Sequence, residues 1–370
     1  MKVTREQVLA WRLRRQFVDP RGEASAGEIV GRLCGVQAQV ASAAELAVGL
    51  RQRKPEADAV NRALADGTLV KTWAMRGTLH LLPAEVAGAY LSLIAAARIW
   101  VKPAWKRAFG ASPEEIAELG EAVSALLDGA VLTRDELVRR LAEDRRFAAM
   151  EEHLRSSWGM LFKPLAWQGI ICHGPKQGGK ATFARPASLS PRWRDLPDPE
   201  EAAPIVLSAY LGAYGPATPE TFDGWLASHS HRKTTVRRWF ADMGDRLTEV
   251  DVEGATGYVL TEHADELARC EPSASVRLLG SFDQYVLGPG TKDTWVVPAE
   301  HRAKVSRTAG WISPIVVVGG RVAGTWELDK DTLAVSLFPD AERPPMDALE
   351  AEAAHVAQAS GLSEVKVRVA

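Results

Sequence analysis

Gln37-Ala38-Gln39, in the run GRLCGVQAQVASAAEL, is the segment whose residue types and spacing come nearest to a reacting centre. Side chains at i and i+2 face one side of extended or turn backbone, which turns Ala38 inward. Each amide can donate and accept a hydrogen bond, so the pair could hold a water molecule or the edge of a nucleobase. A plain polar helix start has the same spacing, and the residues alone leave both readings open.

Gly174-Pro175-Lys176-Gln177-Gly178-Gly179-Lys180-Ala181 nearly matches the phosphate-binding loop G-x-x-x-x-G-K-[ST]. Ala181 stands where the magnesium-binding hydroxyl should be, and ATFARP reads as a strand where that loop needs a helix. The segment is therefore read as a β-turn whose Lys176 and Lys180 meet phosphates or simply face water, and no nucleotide cofactor is expected. HSHRKTTVRRW holds the densest cations, Arg232, Lys233, Arg237 and Arg238, on a helix suited either to DNA backbone contacts or to a solvated face. Arg12, Arg14 and Arg15, and Lys102, Lys106 and Arg107, read likewise. His229 and His231 raise a metal question, but no third ligand is evident, so no metal is expected. Arg76, beside Gly77 at a turn, is a fair nucleic-acid contact. His80 alternates with Leu79 and Leu81 and could face solvent or a ligand, whereas Trp73 suits a core. Asp283 in GSFDQY could stabilise a cationic sugar, although a cap or turn role is commoner for such a residue.

The elements that must position these residues repeat three times. SAGEIVGRL, LTRDELVRRL and ATPETFDGWL each open on a Ser or Thr where a helix should start. Ser25 with Glu28, and Thr133 with Glu136, read as capping boxes; Thr218 precedes a proline suited to the first helical position. A helix precedes each run, another follows, and then come two short β runs: TLVKTWAM with GTLHLL, GIICH with ATFARP, and DRLTEVDV with GYVLTE. Three helices and a hairpin make the winged form of helix-turn-helix. After about residue 272 the pattern becomes strands with one helix, and Gly319–Gly320 forms a two-residue hairpin turn. The expected fold is thus helix-rich α+β. Winged-helix units span 1–110, 111–190 and 198–270, followed by a small α+β domain at 272–370 with a hairpin at 315–327, all around a concave DNA-binding channel.

Of the 370 residues 46% are hydrophobic and 25% charged, as in a globular chain with ample core. The net charge of −2 decides nothing without the local pattern. Cys34, Cys172 and Cys270 are too scattered for a four-cysteine metal site. The sequence is read as lacking an apolar run long enough to span a membrane and a signal peptide, so a cytoplasmic, monomeric protein is expected.

GVQAQ, TWAMRGTLHLL, YLGAYGPATPETF, LLGSFDQYVLG and VVGGRVAGTW together resemble the AlkZ/YcaQ family of winged-helix DNA glycosylases, over a stretch from Arg12 to Trp326. The resemblance implies that Gln37, Ala38 and Gln39 are the family's catalytic Gln–apolar–Gln motif, and that the partner is double-stranded DNA carrying N7-alkylguanine. Interstrand cross-links from bis-alkylating natural products are included, in repair and self-resistance. Gln39 departs from the family's aspartate branch, so no carboxylate abstracts a proton there. With no lysine or terminal amine in the motif, an abasic site is expected as product, without lyase activity. Arg12, Arg76, His80, Lys176, Lys180, Arg232, Lys233, Arg237 and Arg321 are the expected DNA contacts, Arg321 beside a Gly319–Gly320 turn that would probe a groove. The main alternative, a non-catalytic winged-helix regulator, would usually be a symmetric dimer, which three dissimilar units disfavour.

Overall fold

Helices begin where short side chains can satisfy the first free backbone N–H groups. In the computed structural model, which describes residues 1–156 and 159–369, Thr4, Ser25, Ser112 and Thr133 each close a full capping box. Thr218 Oγ1 accepts from Thr221 N at 3.2 Å ahead of the helix Pro219–Ala227. The three hairpins also form: Leu69–Trp73 with Leu79–Pro83, Cys172–Gln177 with Lys180–Ala184, and Leu247–Val252 with Ala255–Leu260. The chain is mixed α/β, with helices the more numerous elements.

The chain divides into two compact units that interleave in sequence: residues 1–60, 207–225 and 240–370 in one, 61–206 and 226–239 in the other. These borders differ from the four consecutive ranges read from the sequence. The segment 1–110 is shared between the units, as is 198–270, whereas 272–370 lies wholly in the first.

In the first unit, five strands pair in the order Val276–Leu279, Ile315–Val318, Arg321–Asp329, Thr332–Leu337 and Lys366–Val369; only the last pairing is parallel. The helix Met346–Ala359 buries Leu349, Ala353 and Val356 with Leu278, Trp326 and Val335. The helix Arg5–Arg15 sends Leu9 and Leu13 into a core with Tyr285, Val286 and Val317, and Val8 and Trp11 into another with Val250 and Val259. Lys2–Val3 adds a parallel strand to Leu247–Val252, a pairing the sequence reading did not anticipate.

In the second unit, neighbouring strands run Leu79–Pro83, Leu69–Trp73, Cys172–Gln177, Lys180–Ala184 and Leu132–Thr133. Trp73, Leu79, Leu119, Val123, Leu137, Phe162 and Phe183 form its core. Ala84–Val101 is long and apolar enough to cross a membrane by length and composition, which corrects the expectation that no such run exists. Its helical part, Ala84–Ala96, buries Ala87, Tyr90, Leu91 and Leu93, so the run is explained as a core helix.

Candidate functional site

The Gln37-Ala38-Gln39 segment is set between two helices of the first unit. The helix Ala26–Arg32 stops at a turn in which Cys34 (φ 57) and Gly35 (φ 94) take left-handed backbone. Tyr214 Oη pins this turn by donating to Leu33 O at 2.6 Å. The chain then runs as a short strand, Val36–Gln37, and re-enters a helix at Ala41. Ala38 is buried, as its alternation suggests, but the two glutamines differ: Gln37 is 8% exposed, whereas Gln39 is open to solvent. One glutamine is therefore largely enclosed by packing while the other is exposed.

Beyond that second helix, Arg51 is fully buried and bonded at each side-chain nitrogen. Nε donates to Gln16 O at 3.0 Å and Nη1 to Ala47 O at 2.8 Å, and the two terminal nitrogens grip Asp283 at 2.9 and 2.7 Å. Asp283 also caps its own short helix by accepting from Tyr285 N at 2.8 Å. The commoner of the two roles considered for Asp283 is the one it plays, and its charge is spent on Arg51.

Several expected DNA contacts sit elsewhere than on a surface. Arg12 is 3% exposed. Its guanidinium pairs with Asp293 at 2.9 Å and donates to Gly215 O and Pro216 O at 3.1 and 3.3 Å, so it is a structural ion pair and not a phosphate contact. It lines a pocket of about 340 Å³ together with Lys292, Asp293 and Trp295. The Gly319–Gly320 turn forms as expected, with φ 58 and 87, and it is anchored to its neighbours. Tyr285 Oη donates to Gly320 O, Gly319 N donates to Ser275 O at 3.0 Å, and a Cβ on Gly320 would come within 2.6 Å of Leu9 Cβ. Arg321 itself is exposed. A different exposed turn, closed by the Ser306–Ile312 bridge, carries Arg307 and the 43% exposed Trp311; its Ala-Gly pair was the overlooked signal.

The second unit holds the remaining expected contacts. Arg76 is half-buried in the hairpin turn with φ 55. His80 is wholly buried, and its Nδ1 lies 3.0 Å from Thr78 O, a carbonyl that can only accept. Nδ1 is thus the protonated nitrogen, and Nε2 is a buried acceptor without a partner. Desolvation, followed by the charge of Arg76, lowers its pKa to about 3. The expectation of a surface contact at His80 is corrected accordingly: a neutral buried ring cannot bind a phosphate as a cation. Lys176 is exposed on the second hairpin, and Lys180 is exposed but lies 3.4 Å from Asp135. Gly178 (φ 54) and Gly179 (φ 78) make the turn, so the phosphate-loop lookalike is a hairpin.

Arg232, Lys233 and Arg237 are exposed around the helix Lys233–Ala241, and Arg238 pairs with Glu200 at 2.6 Å. His231 is spent on Leu93 O at 2.8 Å. Two half-buried amines escaped the sequence reading, Lys71 and Lys163. Burial pulls both below the ordinary lysine range, with Lys176 adding to the effect at Lys71. Lys163 Nζ lies 3.7 Å from where a Cβ on Gly77 would be, so it stands next to the Arg76 turn. For a metal, the described residues offer Glu300, His301 and Asp340, whose ligand atoms lie within 4.8 Å of one another; none was singled out in the sequence.

Comparison with known proteins bears on this arrangement. A family profile described as "DNA glycosylase AlkZ-like" matches residues 30–359, which include both glutamines. An "Interstrand DNA cross-link repair glycosylase" of Streptomyces sahachiroi is 60% identical over 370 residues, the whole of both chains. A solved structure of Streptomyces sahachiroi DNA glycosylase AlkZ, also 60% identical, superposes with a TM-score of 0.98 over the full length of both chains.

Proposed function

The chain belongs to the AlkZ-like DNA glycosylases, and from that premise we propose that it hydrolyses the N-glycosidic bond of N7-alkylguanine, interstrand cross-links included, through Gln37 and Gln39. Repair of bis-alkylating natural-product damage, and hence self-resistance, is the role that fits. The observation that carries the reading is the pair itself: a largely buried glutamine and an exposed one, two residues apart, inside the matched family region.

Alkylation at N7 puts a positive charge on guanine, so the base is already a good leaving group. Its departure leaves oxocarbenium character on the sugar, as in glycoside hydrolysis generally. What the protein must add is a placed water and stabilisation of developing charge. Amide oxygens do both without being able to deprotonate water early, so proton transfer comes late. Packing around Gln37 suits an orienting role, and the exposure of Gln39 suits contact with water or sugar. Unmodified nucleosides, whose neutral base would have to leave as an anion, resist. The product is an abasic site, formed by a cytoplasmic monomer. The three helix-and-hairpin repeats are read as winged helices, with Arg76, Lys176, Lys180, Arg232, Lys233, Arg237 and Arg321 on the DNA backbone. A cross-linked guanine cannot rotate out without its partner, so the site must reach the base in place.

The test is release of N7-methylguanine and of a cross-linked base from duplex DNA. Gln37→Ala and Gln39→Ala should each slow release by roughly 10²–10³-fold, as loss of one transition-state hydrogen-bonding group does. Undiminished release by a folded, DNA-binding double mutant overturns the reading, and a borohydride-trapped protein–DNA adduct overturns the monofunctional part of it.

A further inference from the structure

Gln284 is completely buried, and neither its Oε1 nor its Nε2 has a hydrogen-bond partner. Gln16, the other such glutamine among the described residues, lacks a partner only for Oε1, because its Nε2 donates to Ala213 O at 3.1 Å. A buried amide unpaired at both ends is costly, and such groups are rare enough to need a reason.

The short helix Gln284–Leu287 is tied to both ends of the segment that carries Gln37. On the downstream side, the helix Ala41–Gly49 leads to Arg51, which grips Asp283 at 2.9 and 2.7 Å. On the upstream side, Tyr214 donates to Leu33 O at 2.6 Å, in the turn just ahead of Val36. The same ring occupies the space beside Gly288, where a Cβ would come within 2.0 Å of it. Gly288 N in turn donates to Gln284 O at 2.8 Å. Further restraint comes from Asp283, which caps the helix through Tyr285 N, and from Tyr285 Oη, which donates to Gly320 O. Neither Asp283 nor Gly288 can move without disturbing one end of the glutamine segment, and Gln284 is held between them.

We propose that Gln284 is a positioning residue of the glycosylase centre: through one buried water molecule, its amide holds the strand bearing Gln37 in its working orientation. A glutamine offers a donor and an acceptor, and a buried water needs two to four polar partners, so the chemistry matches. The inference rests on the reading of Gln37 given above.

The experiment is Gln284→Leu in the full-length protein, with denaturation and single-turnover base release measured side by side. Leucine is close in size but loses the water-mediated bonds, so the denaturation midpoint should fall only slightly. The saturating single-turnover rate should fall roughly tenfold, with the half-saturating enzyme concentration unchanged. In a Gln37→Asn background the same change should cost less than about twofold, because the two residues act through one arrangement. An unchanged rate, whatever the midpoint does, assigns Gln284 a purely structural role and overturns the proposal. So does a full tenfold loss on top of Gln37→Asn. Failure of the parent reading is seen separately, as undiminished release by Gln37→Ala.

Discussion

Replacing Asp283 by alanine should be among the most damaging single changes in this protein. Arg51 and Asp283 are 0% and 1% exposed, and their terminal atoms lie 2.7 Å apart. Removing the carboxylate leaves Arg51 Nη2 without the one acceptor it has, while Nη1 keeps Ala47 O and Nε keeps Gln16 O. Breaking a buried pair in this way costs about 3–5 kcal/mol, because a full charge stays behind in a low-dielectric site. The lost cap on Tyr285 N adds roughly 1 kcal/mol. A total near 5 kcal/mol is a third or more of the stability of an ordinary domain, which runs to about 5–15 kcal/mol. Asp283→Asn keeps an acceptor for the cap and should recover that smaller part only. The double variant Arg51→Met, Asp283→Leu removes both charges and should recover most of the loss, since apolar replacements of buried pairs are often neutral. Urea denaturation followed by circular dichroism reads this as a shift in midpoint at constant slope. A loss under about 1 kcal/mol for Asp283→Ala, or a double variant no better than the single one, would refute the reasoning that charge burial is what makes the site fragile.

Further outcomes follow from the same geometry. Lys176→Ala and Arg232→Ala should weaken binding to any duplex and each lower the slope of log K against log salt by about 0.9, measured by fluorescence anisotropy across a salt series. Arg12→Met should leave that slope alone and lower the melting temperature instead, because Arg12 is buried against Asp293. Gly320→Ala combines φ 87 with a 2.6 Å approach to Leu9 Cβ and should cost about 1–3 kcal/mol. Gly178→Ala, with φ 54 and open space around it, should cost only about 1 kcal/mol, and denaturation midpoints compare the two. His80, with a pKa lowered from 6.5 to about 3, stays neutral in the folded chain while the unfolded chain takes up a proton. The stability it contributes is complete above pH 6.5 and is lost as pH falls toward 3, by at most about 1.4 kcal/mol per pH unit. His173, likewise lowered to about 3, acts in the same direction. Midpoints at pH 7 and 5 should therefore differ more in the parent protein than in a His80→Gln variant.

Local chemistry made much of this fold readable. The capping boxes at Ser25 and Thr133 depend on side chains three residues apart, and they start helices where the spacing indicates. Gly178–Gly179 and Gly319–Gly320 supply the positive φ that two-residue turns need, and both are turns. Even the phosphate-loop lookalike was separable from the real motif by its missing hydroxyl and its following strand. Less legible were features set by distant chain. Nothing near Lys2 signals a parallel strand beside Asp251, and nothing near Gly320 signals that Leu9 will pack on it. The glutamine pair was found by residue type and spacing, but spacing could not reveal that packing would enclose one residue and leave the other exposed.

Arg12 and Arg232 make the limit plain. Both sit in cationic runs at or beside helices, and by pattern they are interchangeable. Arg232 stays exposed at the start of its helix. Arg12 is enclosed because Gly215, Pro216 and Asp293, 203 to 281 residues further along the chain, supply the acceptors its guanidinium needs. A buried cation is tolerable only where such a set assembles, and an exposed one needs none. Which arginine becomes a strut and which stays available to a phosphate is therefore decided by the acceptors brought to it, a property of the folded chain that no window around the arginine contains.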